Sequence, residues 1–160
     1  MRSQQDVNQT IEEYADMIQR LCLAHLKNPA DMEDMFQNVF LKYMTYDGKF
    51  ESEEHKKHWL IRVAVNACHD YFRTHFWKSR DPLDVLDYLP VDAPREDYDV
   101  LDAVMRLPEK YKDVIYLFYY EEYTVPEISE ILNKKEGTVY SLLSRARTIL
   151  RKELGGDFYE

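Results

Sequence analysis

Only four glycines and two cysteines occur in the 160 residues of this chain. So few glycines leave no glycine-rich loop of the kind that cradles phosphate, which sets aside the common nucleotide-binding motifs. Cys22 and Cys68 supply no disulfide framework, and a reduced, cytoplasmic compartment is the expectation. No apolar run approaches bilayer-spanning length, and the opening residues Met1, Arg2, Ser3, Gln4 and Gln5 are not those of a signal peptide, so no membrane insertion is expected. Alternating polar and apolar runs are missing too, and the chain reads as all-α. No serine or cysteine nucleophile has a recognisable setting. The acidic clusters Asp31/Glu33/Asp34 and Glu51/Glu53/Glu54 read as helix N-terminal charge rather than paired catalytic carboxylates. Cys22/His25 and His55/His58 are each spaced for one helix face, but a metal needs three or four converging ligands. Neither catalytic residue, metal nor cofactor is expected.

Charge is plentiful and unevenly placed. The net value is −9. Residues 1–54 hold five basic and eleven acidic side chains, net −6, and residues 81–132 hold four and fourteen, net −10. Between and after them, residues 55–80 and 133–152 each hold six basic and one acidic, net +5. Two basic islands therefore sit in an acidic chain. Screening acts over about 8 Å at physiological salt, so each island can hold an anion locally. An acidic whole binds free DNA poorly, which implies two nucleic-acid contacts and a larger partner that supplies the remaining affinity.

The second island has the grammar of a helix-turn-helix. Thr124 and Glu127 form a capping box, with Tyr123 and Ile128 as a hydrophobic staple and Pro126 in the first helical turn. Asn133 suits the left-handed position of a tight turn. A second helix is expected from Glu136 to Lys152. Val139, Leu143, Ala146 and Leu150 recur on its core side, while Thr138, Ser141, Arg145, Thr148 and Lys152 fall opposite. A small, hydroxylated, cationic helix face behind a tight turn is what a major groove accepts.

Upstream, a helix is expected from Val7 to Lys27, with Val7, Ile11, Tyr14, Ile18, Leu21 and Cys22 buried. Asn28 and Pro29 cap a second helix that runs to Thr45, with Met32, Met35, Phe36, Val39 and Tyr43 apolar. Residues 46–54 are a loop turned at Asp47–Gly48. A long helix follows from Glu54 to Trp77. Its face His58, Arg62, Asn66, His69 and Arg73 opposes Leu60, Ala64, Ala67 and Tyr71, and Phe50, Trp59, Phe72, Phe76 and Trp77 surround it. Cations and amides interleaved with aromatics suit a nucleic acid with partly unstacked bases, although a core helix with a solvated basic face has the same pattern. Residues 79–98, with three prolines and many aspartates, read as an acidic linker. Helices are expected again at Asp99–Leu107 and Glu109–Glu121. The architecture is two small helical domains, 1–78 and 99–160, the second containing the helix-turn-helix.

Four segments in this order resemble the bacterial sigma factors of the extracytoplasmic-function type, the short two-domain members of the sigma-70 family. They are DMEDMFQNVFLKYM from Asp31, HWLIRVAVNACHDYFR from His58, LPEKYKDVIYLFYYEEYTVPEISEIL from Leu107 and EGTVYSLLSRARTIL from Glu136. The resemblance implies a transcription initiation factor that joins core RNA polymerase and directs it to specific promoters. It implies polymerase contacts at Asp31, Asp34, Gln37 and Asn38. It implies that Lys49, Phe50, Arg62, Asn66 and Arg73 read the −10 element as melted non-template strand, with Trp59 packed beneath the loop. Lys135, Thr138, Tyr140, Ser141, Ser144 and Arg145 would read the −35 element as duplex, with Arg147 on phosphate. An anti-sigma factor is the implied inhibitory partner. Where the family often has Gly, an apolar residue and Ser, this chain has Asn133, Lys134 and Lys135, and where it often has Lys or Arg, this chain has Tyr140 and Leu142.

A free-standing helix-turn-helix regulator is the alternative within DNA binding. It would need its own affinity, usually from dimerisation and a basic surface, and the −9 charge counts against it. A helical enzyme or metal protein using the histidines lacks a coherent site.

Overall fold

Ser3 starts the first helix. Its hydroxyl accepts the Asp6 backbone N–H at 3.1 Å, satisfying one of the amides that a helix start leaves without a partner. The computed structural model describes residues 1–26, 28–74, 100 and 102–154, and every regular element among them is helical. Helix α1 (Gln4–His25) buries Val7, Thr10, Tyr14, Met17, Ile18, Leu21 and Cys22. It begins a turn earlier than the sequence pattern suggests, because the polar Gln4, Gln5 and Asp6 carry no periodic signal. Ile11, expected in the core, is only half-buried.

Helix α2 (Pro29–Thr45) starts as its sequence indicates. The Asn28 side chain accepts from Ala30 and Asp31 N–H at 2.9 and 3.2 Å, and Pro29 fills the first turn. Its buried residues are Val39, Phe40 and Tyr43, whereas Met32, Met35 and Phe36 are half-buried. Helix α3 (Glu53–Thr74) begins one residue before the expected Glu54, because Ser52 caps it by accepting the His55 N–H at 3.0 Å. It contributes Leu60, Ile61, Ala64, Val65, Ala67 and Cys68 to the core. Each of these three helices packs on the other two. The last residues expected in α3, 75–77, and the linker at 79–98 lie outside the described residues.

The chain divides into two compact units, Met1–Ser79 and Arg80–Glu160. In the second, residues 102–105 are helical and turn at Arg106 and Leu107. Helix α4 (Glu109–Ile115) follows, then a π-helical turn over Tyr116–Tyr120, α5 (Val125–Leu132) and α6 (Glu136–Leu154). Helix α6 packs along α4 and α5. The single helix expected over Glu109–Glu121 is thus corrected: it widens after Ile115, and the Glu121 N–H donates to Tyr116 O, five residues back, at 3.2 Å. The turn is pinned by the Tyr116 hydroxyl donating to Glu121 Oε2 at 2.6 Å and by stacking of Tyr116 on Tyr120, centroids 5.8 Å apart. Glu122 then reverses the chain at φ 58°, a conformation that costs a non-glycine residue about 1 kcal/mol.

Candidate nucleic-acid interface

The capping box is complete. Thr124 Oγ1 accepts the Glu127 N–H at 3.3 Å, and Glu127 Oε1 accepts the Thr124 N–H at 2.9 Å. Tyr123 and Ile128, which flank it in sequence, are both buried. Asn133 takes the left-handed conformation, φ 54° and ψ 50°. The Lys134 N–H returns to Ser129 O at 3.0 Å, and the Ser129 hydroxyl donates to Lys134 O, so α5 ends in a closed turn. These local bonds set the direction in which α6 leaves.

Helix α6 presents the face read from its sequence. Val139, Leu142, Leu143, Ala146 and Leu150 are buried. Thr138, Tyr140, Ser141, Ser144, Arg145, Thr148 and Lys152 are exposed, Tyr140 by 59%. Leu142 is buried with the core stripe, so the apolar residue at this position adds packing and takes nothing from the exposed face. Tyr140 is a true surface change. Lys134 and Lys135 are exposed beside the α6 N-terminus, where the helix dipole already favours an anion.

Arg147 differs from its neighbours. Its Nε donates to the Tyr119 hydroxyl at 2.7 Å, and its guanidinium lies 5.5 Å from the Phe118 ring centre and 5.7 Å from that of Tyr119. The π-helical turn supplies both rings. A guanidinium so held has a fixed orientation. Neither ring was identified from sequence, because their role depends on the widened turn.

In the first unit the loop after α2 closes over an aromatic cluster. Trp59 lies beneath it, stacked on Tyr46 with centroids 4.7 Å apart and 5.6 Å from Phe50. Phe50 also packs 6.2 Å from Tyr43 and 5.3 Å from His55. A Cβ at Gly48 would meet the Tyr46 hydroxyl at 2.2 Å, so any larger residue there would displace the Tyr46 ring from its place on Trp59. Lys49 is exposed, and beside the cluster opens a cavity of ≈ 660 Å³ lined by residues that include Arg2, Tyr43, Gly48, Lys49, Phe50 and Lys56. Arg62, Asn66 and Arg73 are exposed along α3, with Arg73 paired to Asp70. His58 is half-buried and bonded to Glu54 at 2.9 Å.

Behind the loop, Asp6 gathers charge. Tyr43 Oη donates to its Oδ1 at 2.8 Å, Arg2 Nη1 reaches Oδ2 at 3.3 Å and Lys56 Nζ stands 4.0 Å away. Burial pushes this carboxyl up, but the bonds from Tyr43 and Arg2 and the charges of Lys56 and Arg2 outweigh it and hold it below the usual carboxylate range. Tyr14 is the opposite case: burial, the bond to Glu53 at 2.9 Å and the surrounding carboxylates keep its phenol protonated well above the usual tyrosine range.

The α2 residues of interest also converge. Asp31, Asp34, Gln37 and Asn38 line one shallow cavity of ≈ 340 Å³ with Met35 and Tyr71. Asp34, Gln37 and Asn38 are exposed, whereas Asp31 is half-buried and accepts a hydrogen bond from the Tyr71 hydroxyl of α3. No helix among the described residues is long and apolar enough to cross a membrane.

Residues 10–78 match the family described as Sigma-70 region 2, and residues 98–150 match Sigma-70, region 4. The chain is 30% identical over 158 residues to the RNA polymerase sigma-E factor of Streptomyces coelicolor, covering 89% of this chain and 85% of that protein. It is 29% identical over 161 residues to the ECF RNA polymerase sigma factor SigW of Bacillus subtilis, covering 90% and 86%. Among solved structures it shares a fold with CnrH, determined in complex with the cytosolic domain of CnrY, at TM-score 0.73 and 18% identity over 98% of this chain and 92% of that one. It shares it also with the sigma factor RpoE of Bartonella quintana, determined with the anti-sigma factor NepR, at TM-score 0.71 and 17% identity over 96% and 99%.

Proposed function

The chain belongs to the extracytoplasmic-function group of the sigma-70 family, and from that membership we propose how its surfaces divide the recognition of a promoter. It is a transcription initiation factor that binds RNA polymerase and directs it to specific promoters. The first domain, residues 1–78, docks on the polymerase through Asp31, Asp34, Gln37 and Asn38. Its loop and the exposed face of α3 take the −10 element as melted non-template strand, through Lys49, Phe50, Arg62, Asn66 and Arg73. Residues 79–98 link it to the second domain, 99–160, whose α6 takes the −35 element as duplex through Lys135, Thr138, Tyr140, Ser141, Ser144 and Arg145, with Arg147 on phosphate. The assignment includes no catalytic residue, and the site of action is the cytoplasm, where the polymerase is. An anti-sigma factor is the proposed inhibitor, since the structural neighbours CnrH and RpoE were each determined with a bound partner.

The observation that carries this division is the exposed stripe of α6, hydroxyls and a cation flanked by lysines, behind a fully capped helix-turn-helix. Co-purification with core polymerase, followed by transcription from a supercoiled template, tests it. The chain is expected to form a holoenzyme and to start transcripts at defined positions. Failure to bind core polymerase, with specific DNA binding by the chain alone, would overturn the division.

A further inference from the structure

Arg2 lies far in sequence from every residue assigned above, yet its side chain ends inside the −10 loop. The guanidinium lies 4.5 Å from the Tyr43 ring centre and 5.0 Å from that of Phe50. Its Nη2 donates to Gly48 O at 2.6 Å, across 46 residues of sequence, and Nη1 reaches Asp6 at 3.3 Å. The backbone takes part as well, with the Arg2 N–H donating to Met44 O at 3.0 Å, one of the carbonyls that the end of α2 leaves over. Asp6 is fixed in turn by the Tyr43 hydroxyl, to which Thr10 Oγ1 bonds at 3.2 Å. Arg2 Nε is buried without a hydrogen bond. That orphaned donor is a cost which the other contacts of the guanidinium must offset.

We propose that Arg2 is a positioning residue for −10 recognition: it clamps the Gly48 carbonyl and the Phe50 ring so that the loop meets the melted strand already shaped. The inference rests on the reading of residues 46–52 as the −10 loop. A planar fork suits the task, because one guanidinium can bond a carbonyl and a carboxylate in its plane while its face covers two rings. An ammonium has three donors but no plane to lay over the two rings while it bonds both acceptors. The clamp removes the ordering cost of the loop before DNA arrives, so its effect falls on discrimination among −10 sequences and on strand capture rather than on polymerase affinity.

The test compares holoenzymes carrying the native chain, Arg2→Ala, Arg2→Lys and Phe50→Ala, on a template library randomised through the −10 window. Core affinity and the thermal midpoint of each free chain are measured alongside. Arg2→Ala is expected to keep core affinity and to lose discrimination among −10 sequences by roughly tenfold, the scale of one charge-assisted hydrogen bond. The dependence of promoter binding on salt should not change. A drop of about one in the log–log salt slope, with discrimination intact, would make Arg2 a phosphate contact and overturn the proposal. So would loss of discrimination by Phe50→Ala but not by Arg2→Ala, which leaves the −10 loop standing and removes its clamp. If neither variant changes discrimination, the loop reading falls and the clamp with it. Should Arg2→Ala unfold the chain, Arg2→Lys, which keeps the charge but not the fork, carries the same readout and should lose discrimination in part.

Discussion

Arg145 is exposed in the middle of the α6 face proposed to read the −35 element, and its planar fork is the group there best suited to pair with a base edge. A bidentate arginine–guanine contact is worth about 1–3 kcal/mol of discrimination. Arg145→Ala should weaken transcription from a cognate promoter by that amount while leaving the thermal midpoint and polymerase binding unchanged; undiminished transcription would exclude the contact. Asp6 carries a different prediction. Its carboxyl is held below the usual range, so the folded chain binds that proton less readily than the unfolded chain does. The stability it contributes is complete above the unfolded value of about 3.9 and fades as pH falls through the lower folded value. The side chain is 35% exposed, so solvent screens the effect and keeps it modest. Denaturant midpoints of the native chain and Asp6→Asn should therefore differ at pH 7 and converge below about pH 4.

The turn between α5 and α6 is stabilised mainly by bonds within a few residues. Removing the cap with Thr124→Ala takes away the acceptor for the Glu127 N–H and half of the reciprocal box, and should cost about 1 kcal/mol in a denaturant titration. The helices differ in what their exposed faces do. On α2, Val39, Phe40 and Tyr43 hold the core, so the exposed Asp34 contributes little to folding. Asp34→Lys should abolish binding to core polymerase while the circular dichroism of the chain stays as it was. Loss of helicity instead would make the carboxylate structural. Asp31, in contrast, is tied to Tyr71 across two helices, and part of its effect on docking would pass through the placement of α3 against α2.

At the scale of the whole molecule, charge sets the order of assembly. Each basic island nets +5, but residues 81–132 between them net −10. Phosphate neutralisation by one island is offset by repulsion from those acidic segments. On the polymerase both islands are carried by one particle, and the second contact becomes effectively intramolecular. The free chain should therefore give little specific shift of a labelled promoter duplex at physiological salt, and the holoenzyme a clear one. Tight, sequence-specific binding by the chain alone would argue for a free-standing regulator.

Sequence alone determined where most helices start, how the helix-turn-helix turns and which stripe of α6 faces outward. Asn28 and Thr124 at helix starts bond amides two or three residues away, Asn133 tolerates the left-handed turn, and the spacing of Val139, Leu143, Ala146 and Leu150 repeats at the period of one helix. Such interactions close within a turn or two, so they are written in adjacent letters. Only the tertiary structure decided that Leu142 joins the core stripe and Tyr140 does not, that the helix after Ile115 widens to set Phe118 and Tyr119 beneath Arg147, and that Arg2 reaches Gly48. These depend on which residues meet after three helices have packed. Contacts across 28, 40 and 46 residues follow from the angles and registers of whole helices, and no local period encodes them.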